Sequence, residues 1–85
     1  MLRFRGVERN SFPIAYLRSG NCAVIKDINA GMGLRRRLEE MGLIRGKIIR
    51  IVKNDWGPLI ITVGEARLII SRGVAFKIMG EEIRK

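Results

Sequence analysis

Histidine is absent from the 85 residues, cysteine occurs once, and tryptophan and tyrosine once each. Without imidazole there is no histidine base, no Ser-His or Cys-His pair, and no nitrogen ligand for zinc or non-haem iron. Cys22 alone makes no internal disulfide and no multi-thiolate site within one chain. Free cysteine is usually buried, so Cys22 reads as a small buried hydrophobe on a strand. A lone reduced thiol fits a cytosolic compartment. Long apolar runs are missing too: residues 59–63 (Leu-Ile-Ile-Thr-Val) are strand-length, far from the ~20 residues that span a bilayer. The start of the chain is basic but has no apolar segment after it, which excludes a signal peptide from the reading. Gly31-Met32-Gly33 lacks a third glycine in register, and no Gly-x4-Gly-Lys-Ser/Thr loop occurs. Glu39 and Glu40 are helix neighbours about 100° apart, so they do not face each other as an acid–base pair. The expectation is no catalytic residue, no cofactor and no metal site within the chain.

What is present is positive charge on a chain apolar enough to fold. Seventeen Lys and Arg against eight Asp and Glu leave a net charge of +9, with 47% apolar and 29% charged residues. That is too hydrophobic for a disordered basic tail. At this length one domain is the ceiling, and about 60–65% of the unfolded surface can be buried, enough for one small core.

Along the chain, residues 1–12 form a basic arm with Arg3, Arg5 and Arg9 against Glu8. Pro13 is placed to open a helical turn through Leu17. Residues 22–28 read as a strand. Residues 34–41 read as a helix, because Leu34, Leu38 and Met41 fall on one face. Gly42 suits the left-handed position that ends it, with Leu43 folding back. Four further strands follow at 47–53, 59–63, 66–70 and 76–79. Gly64-Glu65 suits a tight hairpin, and 71–75 a turn. The fold class expected is mainly β: a small SH3-like five-stranded barrel over residues 13–79, with one short helix between strands 1 and 2. Residues 80–85 form a tail.

Two features are candidates for contact. Arg35, Arg36 and Arg37 fall at the start of the expected helix, with Glu39 and Glu40 toward its end, the reverse of what the helix dipole favours. Either this patch is used, or it is a solvated face whose stems cover the barrel edge. Trp56, Gly57 and Pro58 form a loop tip whose tryptophan is either an interface anchor or folds back over the core. Charge by itself would suit nucleic-acid phosphates or an anionic membrane surface, but the few scattered aromatics give no stacking platform.

The run Arg37-Leu38-Glu39-Glu40-Met41-Gly42-Leu43-Ile44-Arg45-Gly46-Lys47-Ile48-Ile49 resembles the ferrous iron transport protein A family. The pattern is Arg-Leu-x-x-Met-Gly-Leu/Ile-x-Pro-Gly-x-x-Ile, and the likeness covers residues 13–79. Leu38, Met41, Gly42, Leu43 and Gly46 carry it, and each has a folding role. Arg45 departs from the usual proline, losing a pre-set φ and adding a charge.

The resemblance implies a small cytoplasmic, non-enzymatic accessory protein, peripheral to the inner face of the membrane through its partner. That partner would be the membrane ferrous iron transporter with its cytosolic GTP-binding domain, docked through Arg35, Arg36, Arg37 and the Trp56 loop. Nucleic acid is the rival partner. A metal site assembled across a dimer from Cys22 and carboxylates ranks last, and the oligomeric state is left open. Residues 13–79 hold 12 basic and 5 acidic residues, so the charge belongs mostly to the folded part and suits an acidic partner surface.

Overall fold

Alternating burial builds the sheet. In β2 (Cys22–Ile28) Ala23 and Ile25 point inward, in β3 (Ile48–Lys53) Ile49 and Ile51, and in β4 (Leu59–Val63) Leu59, Ile61 and Val63. Period-2 alternation of this kind is what a half-buried antiparallel strand requires. The computed structural model describes residues 11–83. Three more strands, β1 (Ser11–Pro13), β5 (Ala66–Ile70) and β6 (Ile78–Ile83), complete a six-stranded sheet in the order β1-β6-β2-β3-β4-β5. All of its pairings are antiparallel. Register shifts at Ile25/Asp27 and Ile51/Lys53 leave Lys26 and Val52 as extra residues. Such bulges bend a strand and raise its twist, which lets one sheet curl around one core.

Helix α1 (Met32–Glu40) connects β2 and β3. Its end is a complete Schellman motif. The Gly42 N–H donates to the Glu39 carbonyl at 3.0 Å, and the Leu43 N–H to the Leu38 carbonyl at 3.0 Å. Gly42 takes φ +97°, and Leu43 is fully buried beside Leu38 in the core. Gly46 then donates its N–H to the Ile25 carbonyl at 2.8 Å and steers the chain into β3. At the β4–β5 hairpin Gly64 has φ +60° while Glu65 does not adopt positive φ, the type II′ pattern with glycine first.

The class is as expected, with several changes of detail. Among the described residues there are six strands rather than five, because Ser11 and Phe12 pair with Glu81 and Gly80. The sheet therefore takes in the end of the expected arm and, through β6, residues 80–83 of the expected tail. Residues 1–10 of that arm, and 84–85, lie outside the described residues. Pro13 precedes a 3-10 turn (Ile14–Tyr16) as anticipated, and Ile14 is fully buried. The turn expected at 71–75 is a one-turn helix, α2 (Arg72–Ala75), capped by the Ser71 hydroxyl, which accepts from the Val74 N–H at 3.3 Å. Cys22 is half-buried rather than buried, since its parity in β2 turns it to the outer face.

Candidate functional site

Residues 54–58 connect β3 to β4 and carry Trp56, which is 95% exposed. The tryptophan does not fold back over the core. The loop beneath it is anchored. Asn54 donates from Nδ2 to the Ala15 and Leu17 carbonyls at 2.9 and 2.6 Å, and its backbone N–H donates to the Ser19 hydroxyl at 3.0 Å. Arg72, the first residue of α2, reaches under the loop. Its Nη2 lies 2.7 Å from Asn54 Oδ1, 2.6 Å from the Asp55 carbonyl and 2.8 Å from the Gly57 carbonyl. Two protons serve three acceptors there, so at least one is shared. A guanidinium held this way orders the loop that presents the indole.

Beside Trp56 lies a shallow groove of about 430 Å³ whose walls include Pro58, Ile60 and Ile69. Ile60 and Ile69 are directly opposed across β4 and β5, and Ile69 is 70% exposed. The same outer face carries a second cross-strand row. Arg50 pairs with Thr62, and Thr62 with Arg67, so two exposed cations flank one hydroxyl. Neither arginine has an ion-pair partner among the described residues.

The arginine triple resolves into different roles. α1 begins at Met32, two residues earlier than the sequence pattern placed it, so Arg35 sits in the second turn and the conflict with the helix dipole weakens. Arg35 is committed within the fold: Nη1 donates to the Ile28 carbonyl at 2.8 Å, Nη2 pairs with Asp27 at 3.0 Å, and Nε lies 3.6 Å from Glu39. Arg36 and Arg37 are exposed.

The two candidate contacts lie at opposite ends of β4. Through Arg35 the helix is tied to the C-terminal end of β2, and a Cβ on Gly42 would come within 3.7 Å of Val63 at the C-terminal end of β4. The Trp56 loop adjoins Leu59 at the other end of that strand, roughly 14 Å away at 3.4 Å per residue. Arg35 and the Trp56 loop are thus not neighbours: they belong to different ends of the β2-β3-β4 ladder. Of the family-like residues, Leu38 and Leu43 are core, Met41 packs on it half-buried, and Gly42 and Gly46 shape the chain.

Sequence reasoning missed Arg72, Asn54 and the Arg50–Thr62–Arg67 row. Ser71 as a cap was the available signal for α2, but nothing local says that Arg72 reaches 18 residues back to Asn54. Among the described residues no three His, Cys, Asp or Glu side chains cluster to hold a metal ion, and no helix is long and apolar enough to cross a membrane.

Comparison with known proteins gives this geometry its context. The sequence matches the FeoA domain family over residues 12–82. It is 37% identical over 71 residues to a Methanocaldococcus jannaschii protein that bears the name Fe(2+) transport protein A, covering 84% of this chain and 87% of that one. The fold superimposes on the crystal structure of an iron uptake regulatory protein, FeoA, with a TM-score of 0.81 and 30% identity, over 86% of this chain and 99% of that one. It also superimposes on a zinc-complexed FeoA of Stenotrophomonas maltophilia described as a prokaryotic SH3 domain protein, with a TM-score of 0.74 and 24% identity, over 84% of this chain and 94% of that one. The bent sheet is thus SH3-like, and the family match over residues 12–82 begins inside β1 and ends inside β6. With a family match over most of its length and a relative well above 30% identity, the chain belongs to the FeoA domain family, which is linked to ferrous iron transport.

Proposed function

We propose that this chain is a non-enzymatic accessory module of ferrous iron transport, acting in the cytoplasm at the inner face of the membrane. It docks on the cytosolic GTP-binding part of the iron transporter. The observation that carries the reading is the Trp56 loop: an indole 95% exposed on a loop anchored by Arg72 and Asn54. Leaving a large aromatic in water while ordering its support lowers the entropy lost on binding, and tryptophan in an apolar patch is a common interface anchor. The surplus of basic residues supports an acidic partner surface. Docking would bias a conformational or GTP-linked step of the transporter rather than ligate iron. Arg36 and Arg37, exposed on α1, would serve a second, peripheral contact.

The test is a pull-down of the isolated GTP-binding domain with the full chain, together with iron uptake in a deletion strain complemented by wild type or Trp56→Ala. Retention of the domain, with uptake restored by wild type and not by Trp56→Ala, is the expected result. Absence of any transporter in the pull-down, with uptake unchanged in the deletion strain, would sink the reading.

A further inference from the structure

β5 is an end strand of the sheet, hydrogen-bonded only to β4 among the described residues. The two-residue turn at Gly64 and Glu65 sets its polarity. Residues that flank such a turn, here Val63 and Ala66, form a hydrogen-bonded pair, and the hydrogen-bonded pairs then alternate along the ladder. Ala66, Leu68 and Ile70 therefore turn their backbone groups toward β4, while Arg67 and Ile69 turn theirs to the open edge. Neither Arg67 nor Ile69 makes a backbone hydrogen bond elsewhere among the described residues.

The same two residues point their side chains to the outer face, where Ile69 borders the Trp56 groove and Arg67 belongs to the cationic row with Arg50. Backbone groups, an apolar pocket and a cation thus coincide at residues 67 and 69. Exposed edges are usually blunted by a charge or a proline, or covered. Here the charge of Arg67 is followed two residues on by an exposed isoleucine, which in turn borders the groove of the exposed Trp56.

We propose that the β5 edge takes up an extended segment of a partner protein as a further antiparallel strand, reading an apolar residue at Ile69 and a carboxylate at Arg67. Antiparallel pairing matches the rest of the sheet and is slightly the more stable. It requires the order apolar-x-acidic in the partner: the apolar side chain packs on Ile69 at the rim of the Trp56 groove, and the acid two residues later pairs with Arg67. Backbone bonds give affinity and the two side chains give selection, the logic of strand addition. A second copy of this chain fits the edge poorly, because it would bring a like charge of +9 and place two Arg67 side chains diagonally adjacent. The proposal deepens the docking reading and rests on it for the source of the segment.

The probe is the acetylated, amidated peptide Ser-Thr-Phe-Val-Glu-Val-Thr-Ser, titrated into the full chain while Trp56 fluorescence and amide NMR shifts are followed. Saturable binding is expected, with shifts concentrated at residues 67–69 and 56–60. N-methylation of the Phe and Glu amides, which face β5, should abolish it, whereas N-methylation of the two Val amides, which face away, should leave it. Arg67→Glu, or Lys in place of the peptide Glu, should each weaken binding about tenfold or more. Trp56→Ala should weaken it as well, with the fold intact because the indole is exposed. Equal binding of the two N-methylated peptides overturns the proposal, as does a titration with no saturable change or a dimer of the free chain sealed through β5. If the transporter domain is retained undiminished by Arg67→Glu, the strand-addition mode falls and docking stands. If the peptide behaves as described but the domain is not retained, docking falls and the strand-addition mode stands.

Discussion

Arg72 and Arg35 are alike in sequence terms and differ in what they do. Arg72 spans from α2 to the carbonyls of Asp55 and Gly57, so its removal leaves only the Asn54 bonds, at the start of the loop, to hold it. Arg72→Ala is expected to lower stability by about 1.5–3 kcal/mol, the range for hydrogen bonds from a charged donor. Trp56 fluorescence anisotropy should fall in the same variant. Urea denaturation followed by far-ultraviolet circular dichroism measures the first effect, since an exposed indole reports the core poorly. Arg35 ties α1 to the end of β2, but its side chain is 41% exposed and solvent screens its ion pairs. Arg35→Ala should cost about 0.5–1.5 kcal/mol, mostly through the bond to the Ile28 carbonyl. Arg36→Ala should leave thermal stability where it is, so the two variants together separate a structural arginine from a surface one.

Elements defined by local chemistry were legible beforehand. The strands at 22–28, 59–63 and 66–70 have the bounds that β-branched composition and turn residues imply, and α1 ends where Gly42 ends it. Gly42→Ala tests that ending. A Cβ there meets only Val63 Cγ1 at 3.7 Å, an ordinary contact, so the cost is the left-handed backbone itself. We expect a loss of about 1–2 kcal/mol, read as a lower urea midpoint at unchanged m-value. β1 and α2 were not legible as such. Three residues of strand and one turn of helix are too short for periodicity, and β1 exists because β6 is there to pair with it. Gly80 and the residues after it read as a tail for the same reason: without knowledge of the partner strand, Gly-Glu-Glu does not look like sheet.

Across the whole molecule, basic charge is distributed over several faces rather than gathered into one. Arg36 and Arg37 lie at the helix end, Arg50 and Arg67 on the outer face of the sheet, and Lys53 beside the Trp56 groove. Tyr16 and Phe76 engage each other edge to face, 5.4 Å between centroids, which leaves no row of free rings among the described residues on which bases could stack. A single-stranded oligonucleotide is therefore expected to bind no tighter than the non-specific range of about 10⁻⁴–10⁻⁶ M at physiological salt, as measured by filter binding across a salt series. Association with an acidic protein partner should slow as salt rises, while its dissociation rate, set by the Trp56 and Ile69 contacts, changes little in stopped-flow kinetics.

Charge, missing imidazole, strand alternation and the glycine at the helix end are properties of neighbouring residues, so the sequence by itself determined the mainly β class, one small core, the site of the helix stop and the hairpin turn. Which groups are left over for a partner was decided only by the tertiary structure. Insertion of β6 between β1 and β2 makes β5 an end of the sheet. Pairing across 39 residues, from Asn54 to the Ala15 carbonyl, anchors the tryptophan loop. The bond from Arg35 to the Ile28 carbonyl, seven residues back, ties one arginine of the triple into the fold and leaves Arg36 and Arg37 exposed. The first two outcomes depend on contacts between distant parts of the chain, formed when the core closes, and no short stretch of residues encodes them.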